Sequence, residues 1–404
     1  MARVLDRSKF LANLRATLDV RRAWHAQSPY ARAILTLVYL GFVTGTYAVA
    51  AILIWGPGLL HATDYVPWGI GISTYIFFVL TSTGLCFVSS LGHVFGIGGY
   101  EAIGKRAVFL AIITMMAGFA ALAPDLGRPE RMVFYLLTPH FSSLLWWMGF
   151  LYFIYFVFMV AEFLSLHKSR MDWARAMGVG GLLSAIGAHS TLGGVFGVVM
   201  ARPFYFGAFM PLYFLLTAFL SGIAAISLAS ITTSWGRSRQ FTPEVVDISC
   251  RLRKLLVAVL GITLLFTFWK VLVGLYAEPY RETFGDVIRG PLWQLEVILG
   301  LGLPLILALV AASRRIRVVP AMLAASSLVL LGLFIGRLDM VLAGQALPLK
   351  ALIAPELSSY IPSAAEIMVV VGALSLCGLL YAIGGTFLRL EAVPLAHSSS
   401  TKDT

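Results

Sequence analysis

The chain alternates ten times between long apolar runs and short polar turns. The apolar segments cover about 33–55, 68–96, 106–124, 143–166, 174–201, 206–233, 255–277, 290–313, 318–343 and 362–388. Each is long enough to cross a hydrocarbon core of roughly 30 Å as a helix, and several need tilt. The pattern predicts an all-α polytopic membrane protein with ten transmembrane helices. Ahead of the first span, Phe10, Leu14 and Leu18 recur at helical spacing among Arg7, Lys9, Arg15, Arg21 and Arg22. That arrangement predicts an amphipathic segment lying on an anionic membrane surface. The chain thus divides into this N-terminal segment (1–30), a membrane domain (31–390) and a polar tail (391–404).

Composition agrees with the pattern. Hydrophobic residues make up 59% of the chain and charged residues 12%, about half the charge of a soluble domain. The net charge of +11 points away from nucleic acid once its location is considered. Twenty-two of the 30 Lys and Arg lie in the N-terminal segment, the even-numbered loops and the C-terminal end. Positive residues concentrate on the cytoplasmic side, so both termini are expected in the cytoplasm. The odd-numbered loops then face outward, to the periplasm of a bacterial cell. Cys86, Cys250 and Cys377 are far apart with no CxxC, which argues against a metal or iron–sulfur site held by this chain alone.

A faint repeat relates two spans. Span two carries Tyr75 and, nine residues on, Gly84; span six carries Tyr213 and, nine residues on, Gly222. An offset of four spans preserves direction, so the repeat would be parallel. It predicts two four-helix bundles, spans 2–5 and 6–9, flanked by spans 1 and 10. Chance similarity of two apolar helices is the alternative.

Ionisable residues inside spans are costly and mark sites or pathways. Here they gather in the outer half. Lys270 in span seven, Glu296 in span eight, Arg337 and Asp339 in span nine and Glu366 in span ten all lie within about 10 Å of the outer ends of their helices at 1.5 Å per residue. Asp125 and Arg128 follow span three at the same face, in the turn Pro124-Asp125-Leu126-Gly127-Arg128-Pro129-Glu130-Arg131. Structural pairing explains any one of these, while the layer as a whole suggests a polar pocket. His189 is deeper, near the middle of span five in Gly187-Ala188-His189-Ser190-Thr191. Its small and hydroxyl neighbours leave room for a flat ligand or water. An imidazole accepts a proton near neutral pH, as quinol oxidation requires. A core hydrogen-bonding histidine is the plainer reading. Towards the inner face, Glu162, His93 and the hydroxyls Thr81, Ser82, Thr83, Ser89 and Ser90 either extend a polar route or serve as helix-packing groups.

Taken together these segments resemble the NrfD/polysulfide reductase membrane-subunit family in its ten-span branch. The resemblance rests on Pro67-Trp68-Gly69 at the entry to span two, the Asp125–Arg131 turn, and His189-Ser190-Thr191-Leu192-Gly193. Pro291-Leu292-Trp293-Gln294-Leu295-Glu296 and Tyr360-Ile361-Pro362 before Glu366 add to it. It implies a quinone-interacting anchor (menaquinone or ubiquinone) without a redox cofactor of its own. The implied partners are a periplasmic four-cluster ferredoxin-like iron–sulfur subunit and, through it, cytochrome or catalytic subunits. On this reading His189, Asp125 and Arg128 are catalytic. His189 bonds the quinone head or moves a proton, Asp125 accepts a proton or orients His189, and Arg128 holds Asp125 ionised or docks the partner. Ser190, Thr191 and Tyr75 join His189 and Asp125 around the quinone. Glu296, Glu366 and Asp339 carry protons outward, with Lys270 and Arg337 balancing their charge. A secondary transporter or a proton-translocating subunit is the alternative function.

Overall fold

The computed structural model describes residues 29–390 apart from Tyr65, Ala201, Pro203, Arg239, 278–280, 312–317, 351–359 and Arg389. The expected amphipathic segment and the polar tail lie outside the described residues. Ten helices are long and apolar enough to span a membrane. We label them α1 (Pro29–Trp55), α2 (Ile70–His93), α3 (Glu101–Leu122), α4 (Leu144–His167), α5 (Met171–Gly197), α6 (Phe209–Ser238), α7 (Pro243–Tyr276), α8 (Pro291–Val310), α9 (Val318–Lys350) and α10 (Ala364–Phe387).

Local chemistry sets several ends that hydropathy does not. Helix α7 begins twelve residues before the apolar run, because Thr242 caps it and Pro243 occupies its first turn. A proline there has no N–H to waste and is pre-set for helix. The polar first turns are then held by Asp247 and Arg251, 2.8 Å apart four residues along. Helix α10 starts at a reciprocal capping box between Ser363 and Glu366. Inside α8 the backbone widens to a π-helix over Glu296–Gly302. Pro304, just beyond it, cannot donate to the carbonyl four residues back and crowds it, and π-turns of this kind recur at functional sites.

Helices α2–α5 close one four-helix bundle through the pairs α2/α3, α3/α4, α4/α5 and α2/α5. Helices α6–α9 close the second through α6/α7, α7/α8, α8/α9 and α6/α9. Helices α1 and α10 pair with each other, and α10 leans on α3. The two bundles meet where α2 crosses α6. A Cβ built on Gly84 would strike the Ala218 carbonyl and lie 2.7 Å from the Gly222 nitrogen, and one on Gly222 would strike the Gly84 backbone. Glycine is required at both because the backbones touch. The two residues matched by the repeat therefore face each other, as a two-fold relation between bundles demands. Between lipid-solvated helices no hydrophobic force drives association, so such small-residue contacts carry the packing. Helix α2 is the most enclosed element, with 78% of its span window buried against 22% for α1 and α4. It is the spine of the molecule.

Candidate functional site

One face of α2 organises the polar residues. Positions four apart share a helix face, and Gly71, Tyr75, Val79 and Thr83 form such a stripe. Moving along it from the end distant from the basic loops, Gly71 comes first. Its bare Cα receives the Asp125 carboxylate, which a methyl group there would displace. Asp125 is half-buried, reaching the first turn of α2 where the helix dipole favours an anion. Gly127, at φ 64, reverses the chain immediately after it. That turn carries Arg128 outward. Arg128 is exposed, and among the described residues no ion pair joins it to Asp125.

A second carboxylate flanks the same helix start. The Glu366 Oε1 accepts from the Tyr360 hydroxyl at 2.7 Å, and that hydroxyl accepts from the Ile70 amide at 2.9 Å. Glu366 Oε2 accepts from the Ser363 amide at 2.8 Å and from the His61 amide at 3.3 Å. Both oxygens are thus engaged, and Glu366 clamps the entries to α2 and α10. Burial and the bond to Glu366 push the Tyr360 phenol above its ordinary range, so it stays a donor. Gln345 of α9 adds a further clamp, accepting from the Trp68 amide and donating to the Trp68 carbonyl, both at 2.9 Å. A lone amide in an apolar run is a visible signal for Gln345, although charge and hydropathy alone pass over it.

Deeper along the stripe lies His189, fully buried. Thr83 Oγ1 reaches both of its ring nitrogens, standing 3.1 Å from Nε2, and each nitrogen also meets a carbonyl. Nδ1 stands 2.6 Å from Thr83 Oγ1 and 3.1 Å from the Ala185 carbonyl. Nε2 stands 3.1 Å from the Tyr152 hydroxyl and 2.9 Å from the Val79 carbonyl. A neutral imidazole donates from one nitrogen and accepts at the other. Two complete arrangements therefore exist. With Nε2–H on Val79, Thr83 donates to Nδ1; with Nδ1–H on Ala185, Tyr152 or Thr83, each 3.1 Å away, donates to Nε2. Exchange between them hands a proton across the ring. Tyr75 adjoins Tyr152, continuing the polar line towards Gly71 and Asp125.

This enclosure alters the expected site. His189 is saturated by protein groups, so proton transfer, not headgroup contact, is what its geometry offers. Asp125 is not among its partners, since Gly71 and Val79 are about 12 Å apart along α2. Ser190 and Thr191 turn away from the His189 face by about 100° and 200°, and Thr191 bonds the Gly187 carbonyl of its own helix at 2.7 Å. Tyr152 and Tyr155 escape a reading of the sequence, because they sit in an aromatic run, Phe150–Phe158, where nothing marks them.

The second bundle holds the other expected charges in one cluster. The Tyr213 hydroxyl donates to Glu296 Oε1 at 3.0 Å. Arg337 donates to Thr217, four residues along from Tyr213, and lies 4.8 Å over the Phe214 ring. Lys270 Nζ lies 4.2 Å over Phe204 and 5.4 Å from both Tyr213 and Trp293, a cation held by ring faces. Asp339 Oδ2 is buried with no hydrogen-bond partner among the described residues. Tyr213 in this bundle thus takes the place that Tyr75 holds in the first. Among the described residues, no three His, Cys, Asp or Glu side chains converge as a metal set.

The family model described as polysulphide reductase, NrfD, matches residues 58–349, which contain both bundles. The chain belongs to the NrfD family. Among relatives of this NrfD-family protein, a component of the selenate reductase of Mesobacillus selenatarsenatis is 28% identical over 299 residues, 63% of this chain and 69% of that one. The integral membrane subunit of an Hdr-like menaquinol oxidoreductase of Archaeoglobus fulgidus is 24% identical over 375 residues, covering 86% and 91%. The integral membrane subunit of a menaquinone reductase of Nitratidesulfovibrio vulgaris is 24% identical over 189 residues, 43% and 45% of the two chains.

Proposed function

We propose that this protein is the quinone-interacting membrane subunit of an oxidoreductase complex, set in a bacterial inner membrane with both termini in the cytoplasm. Two relatives are named for menaquinol or menaquinone chemistry, and the positive loops support the orientation. The observation that carries the reading is the Asp125 carboxylate. It is half-buried at the membrane lip, makes no hydrogen bond among the described residues, and lies against bare backbone at Gly71. A quinol hydroxyl is the donor such a carboxylate fits.

The reaction is quinol to quinone with release of two electrons and two protons, or its reverse. Electrons pass to or from an iron–sulfur subunit docked on the outer face, where the exposed Arg128 offers it a positive contact. Asp125 takes or gives the proton at the headgroup, and Tyr75, Tyr152 and His189 relay it. Glu296, Asp339, Lys270 and Arg337 form a balanced charge cluster in the second bundle, whose carboxylates carry protons outward while the two cations offset their charge. Glu366 holds the lip in shape. The test is purification of the complex from its host followed by quinone-linked turnover. Asp125→Asn and His189→Gln are each expected to abolish turnover while leaving the complex assembled. Wild-type turnover with both replaced refutes the assignment, and a chain that purifies alone as a solute carrier refutes the class.

A further inference from the structure

The wall of the first bundle is closed unevenly. Helices α2 and α3 approach at bare backbone, since a Cβ on Gly118 would stand 3.1 Å from both the Phe78 and the Val79 side chain. Helices α3 and α4 meet instead through rings. Phe109 faces Phe163 at 5.5 Å in the inner half, and Phe119 faces Tyr152 at 6.0 Å in the outer half. Phe119 also lies 5.7 Å from Tyr75 and is half-buried. One aromatic side chain thus stands between the bundle surface and the two tyrosines. Side chains change rotamer far faster than packed helices move, so this seam can open where a backbone contact would stay shut.

The segment after α3 covers this seam at its outer end. Beyond the Gly127 reversal, Met132–Leu137 form a six-residue helix. Its Tyr135 ring lies against α4 where Gly149 leaves room, and a methyl group at Gly149 would strike that ring. The Tyr135 hydroxyl donates to the Leu145 carbonyl, and the Trp146 indole donates to the Tyr135 carbonyl at 2.9 Å. Tyr135 is also within electrostatic reach of Tyr75. The other side of the short helix is apolar and open. Val133, Phe134 and Leu137, with Phe141 beyond them, are between 61% and 68% exposed. Such a patch is costly in water and suits the headgroup–acyl boundary, where amphipathic helices lie. The Trp147 indole donates to the Phe141 carbonyl at 2.8 Å, which sets a tryptophan at the depth where membrane proteins concentrate them. Arg128, Glu130 and Arg131, just before the helix, are exposed and belong on the water side.

We infer that residues 129–143 are a membrane-seated lid over the α3/α4 seam, with Phe119 the gate beneath it. A quinone enters sideways through this seam. Its ring stops beside Tyr75, and its isoprenoid chain stays between Phe119 and the surface made by Tyr135 and Trp146. The inference rests on the quinone reading above and adds the entry route and the site of the chain. The surroundings favour this occupant. A ring beside Tyr75 is four residues, about 6 Å along α2, from Gly71 and the Asp125 carboxylate, so the head reaches its proton acceptor without crossing the bundle. A branched apolar chain packs on aromatic faces and continues into lipid. At α1 and α10 the backbones themselves touch, because a Cβ on Gly45 would strike Gly372, and that pair stays closed.

Two measurements on the assembled complex test this. The first uses a quinone analogue with a photoreactive diazirine on the second isoprene unit of its chain, mapped by peptide mass spectrometry. Label that excess unmodified quinone competes away is expected in residues 116–123 and 132–153. Competable label confined to other helices, or turnover with no label in these two segments, overturns the gate and leaves the proposed function standing. Neither turnover nor competable label anywhere refutes the proposed function, and the gate falls with it. The second measurement locks the lid. In a Tyr135→Cys/Gly149→Cys double variant, a short bis-methanethiosulfonate is expected to lower kcat/KM for a long-chain quinol at least tenfold relative to the same variant untreated. Reductant is expected to restore the rate, and the parent complex, which keeps Cys86, Cys250 and Cys377, is expected to be unaffected by the reagent. An unchanged kcat/KM once mass spectrometry shows the crosslink overturns the lid.

Discussion

Replacing Tyr152 by Phe isolates the proposed relay from the packing around it. The ring remains in place, and His189 keeps Nε2–H on Val79 at 2.9 Å and the Thr83 contact to Nδ1 at 2.6 Å. No buried nitrogen is orphaned. The stability cost is therefore that of one intramembrane hydrogen bond, about 0.6 kcal/mol on average. What is lost is the hydroxyl that joins Nε2 to Tyr75. Thr83, 3.1 Å from Nε2, can still donate to it, so both tautomers survive but the ring has no proton path towards Tyr75. Positioned proton transfer contributes about 10²–10⁴ in rate, or roughly 2.7–5.5 kcal/mol of barrier. The effect on turnover thus exceeds the effect on stability several-fold. Thr83→Val removes the hydroxyl that reaches both ring nitrogens and is expected to fall equally far. Because either change breaks the same relay, the double variant is expected to be no slower than the singles. The assay is quinone-linked turnover per assembled complex, with assembly followed by thermal denaturation in detergent. Turnover of Y152F within twofold of wild type, or additive losses in the double variant, would refute the relay.

Three further outcomes follow from the packing. Gly71→Ala displaces the Asp125 carboxylate from the first turn of α2 and is expected to cut turnover at least tenfold with little change in assembly; a normal rate would remove Asp125 from the site. Gly84→Val forces apart the backbones of α2 and α6, an overpacking cost of about 1–3 kcal/mol, and is expected to lower the detergent melting temperature far more than Gly58→Val, where a Cβ meets nothing. The Tyr360 phenol, held above its ordinary range by burial and Glu366, stabilises the fold below its unfolded-state value near pH 10. That stability is lost as pH rises through the folded value. The melting difference between wild type and Tyr360→Phe is expected to be flat from pH 6 to about 10 and to shrink above it.

The sequence displayed the spans because bilayer thickness imposes length and apolarity on each one, and hydropathy reads both. It displayed the charge layer for the same reason: Lys270, Glu296, Arg337, Asp339 and Glu366 are conspicuous against hydrocarbon. It could not display which of them meet. Lys270 is paired with aromatic faces, and Glu366 is consumed by capping its own helix and clamping Tyr360. Nor could periodicity show that His189 is sealed, since its partners Tyr152, Thr83 and Val79 lie on two other helices. One of those partners is a carbonyl that no sequence pattern exposes. The early start of α7 escaped because Thr242 and Pro243 open a helix through capping chemistry in a polar stretch, where hydropathy has nothing to count.

The two bundles share a scaffold and differ in what it carries. Tyr75 and Tyr213 occupy matched positions, and Gly84 and Gly222 touch where α2 crosses α6. A side chain at either glycine would press on the other bundle, so neither bundle shifts without moving its counterpart. In the first bundle the matched tyrosine leads to a neutral histidine with two alternative hydrogen-bond arrangements. In the second it leads to Glu296, Arg337, Lys270 and Asp339, whose charges nearly balance. A neutral relay switches at low cost inside a membrane, because neither state buries net charge. A balanced cluster resists single protonation, because adding one proton would bury net charge. On the proposed function, an uncharged proton path in the first bundle lies beside a charged cluster in the second, with their helices in backbone contact at Gly84 and Gly222.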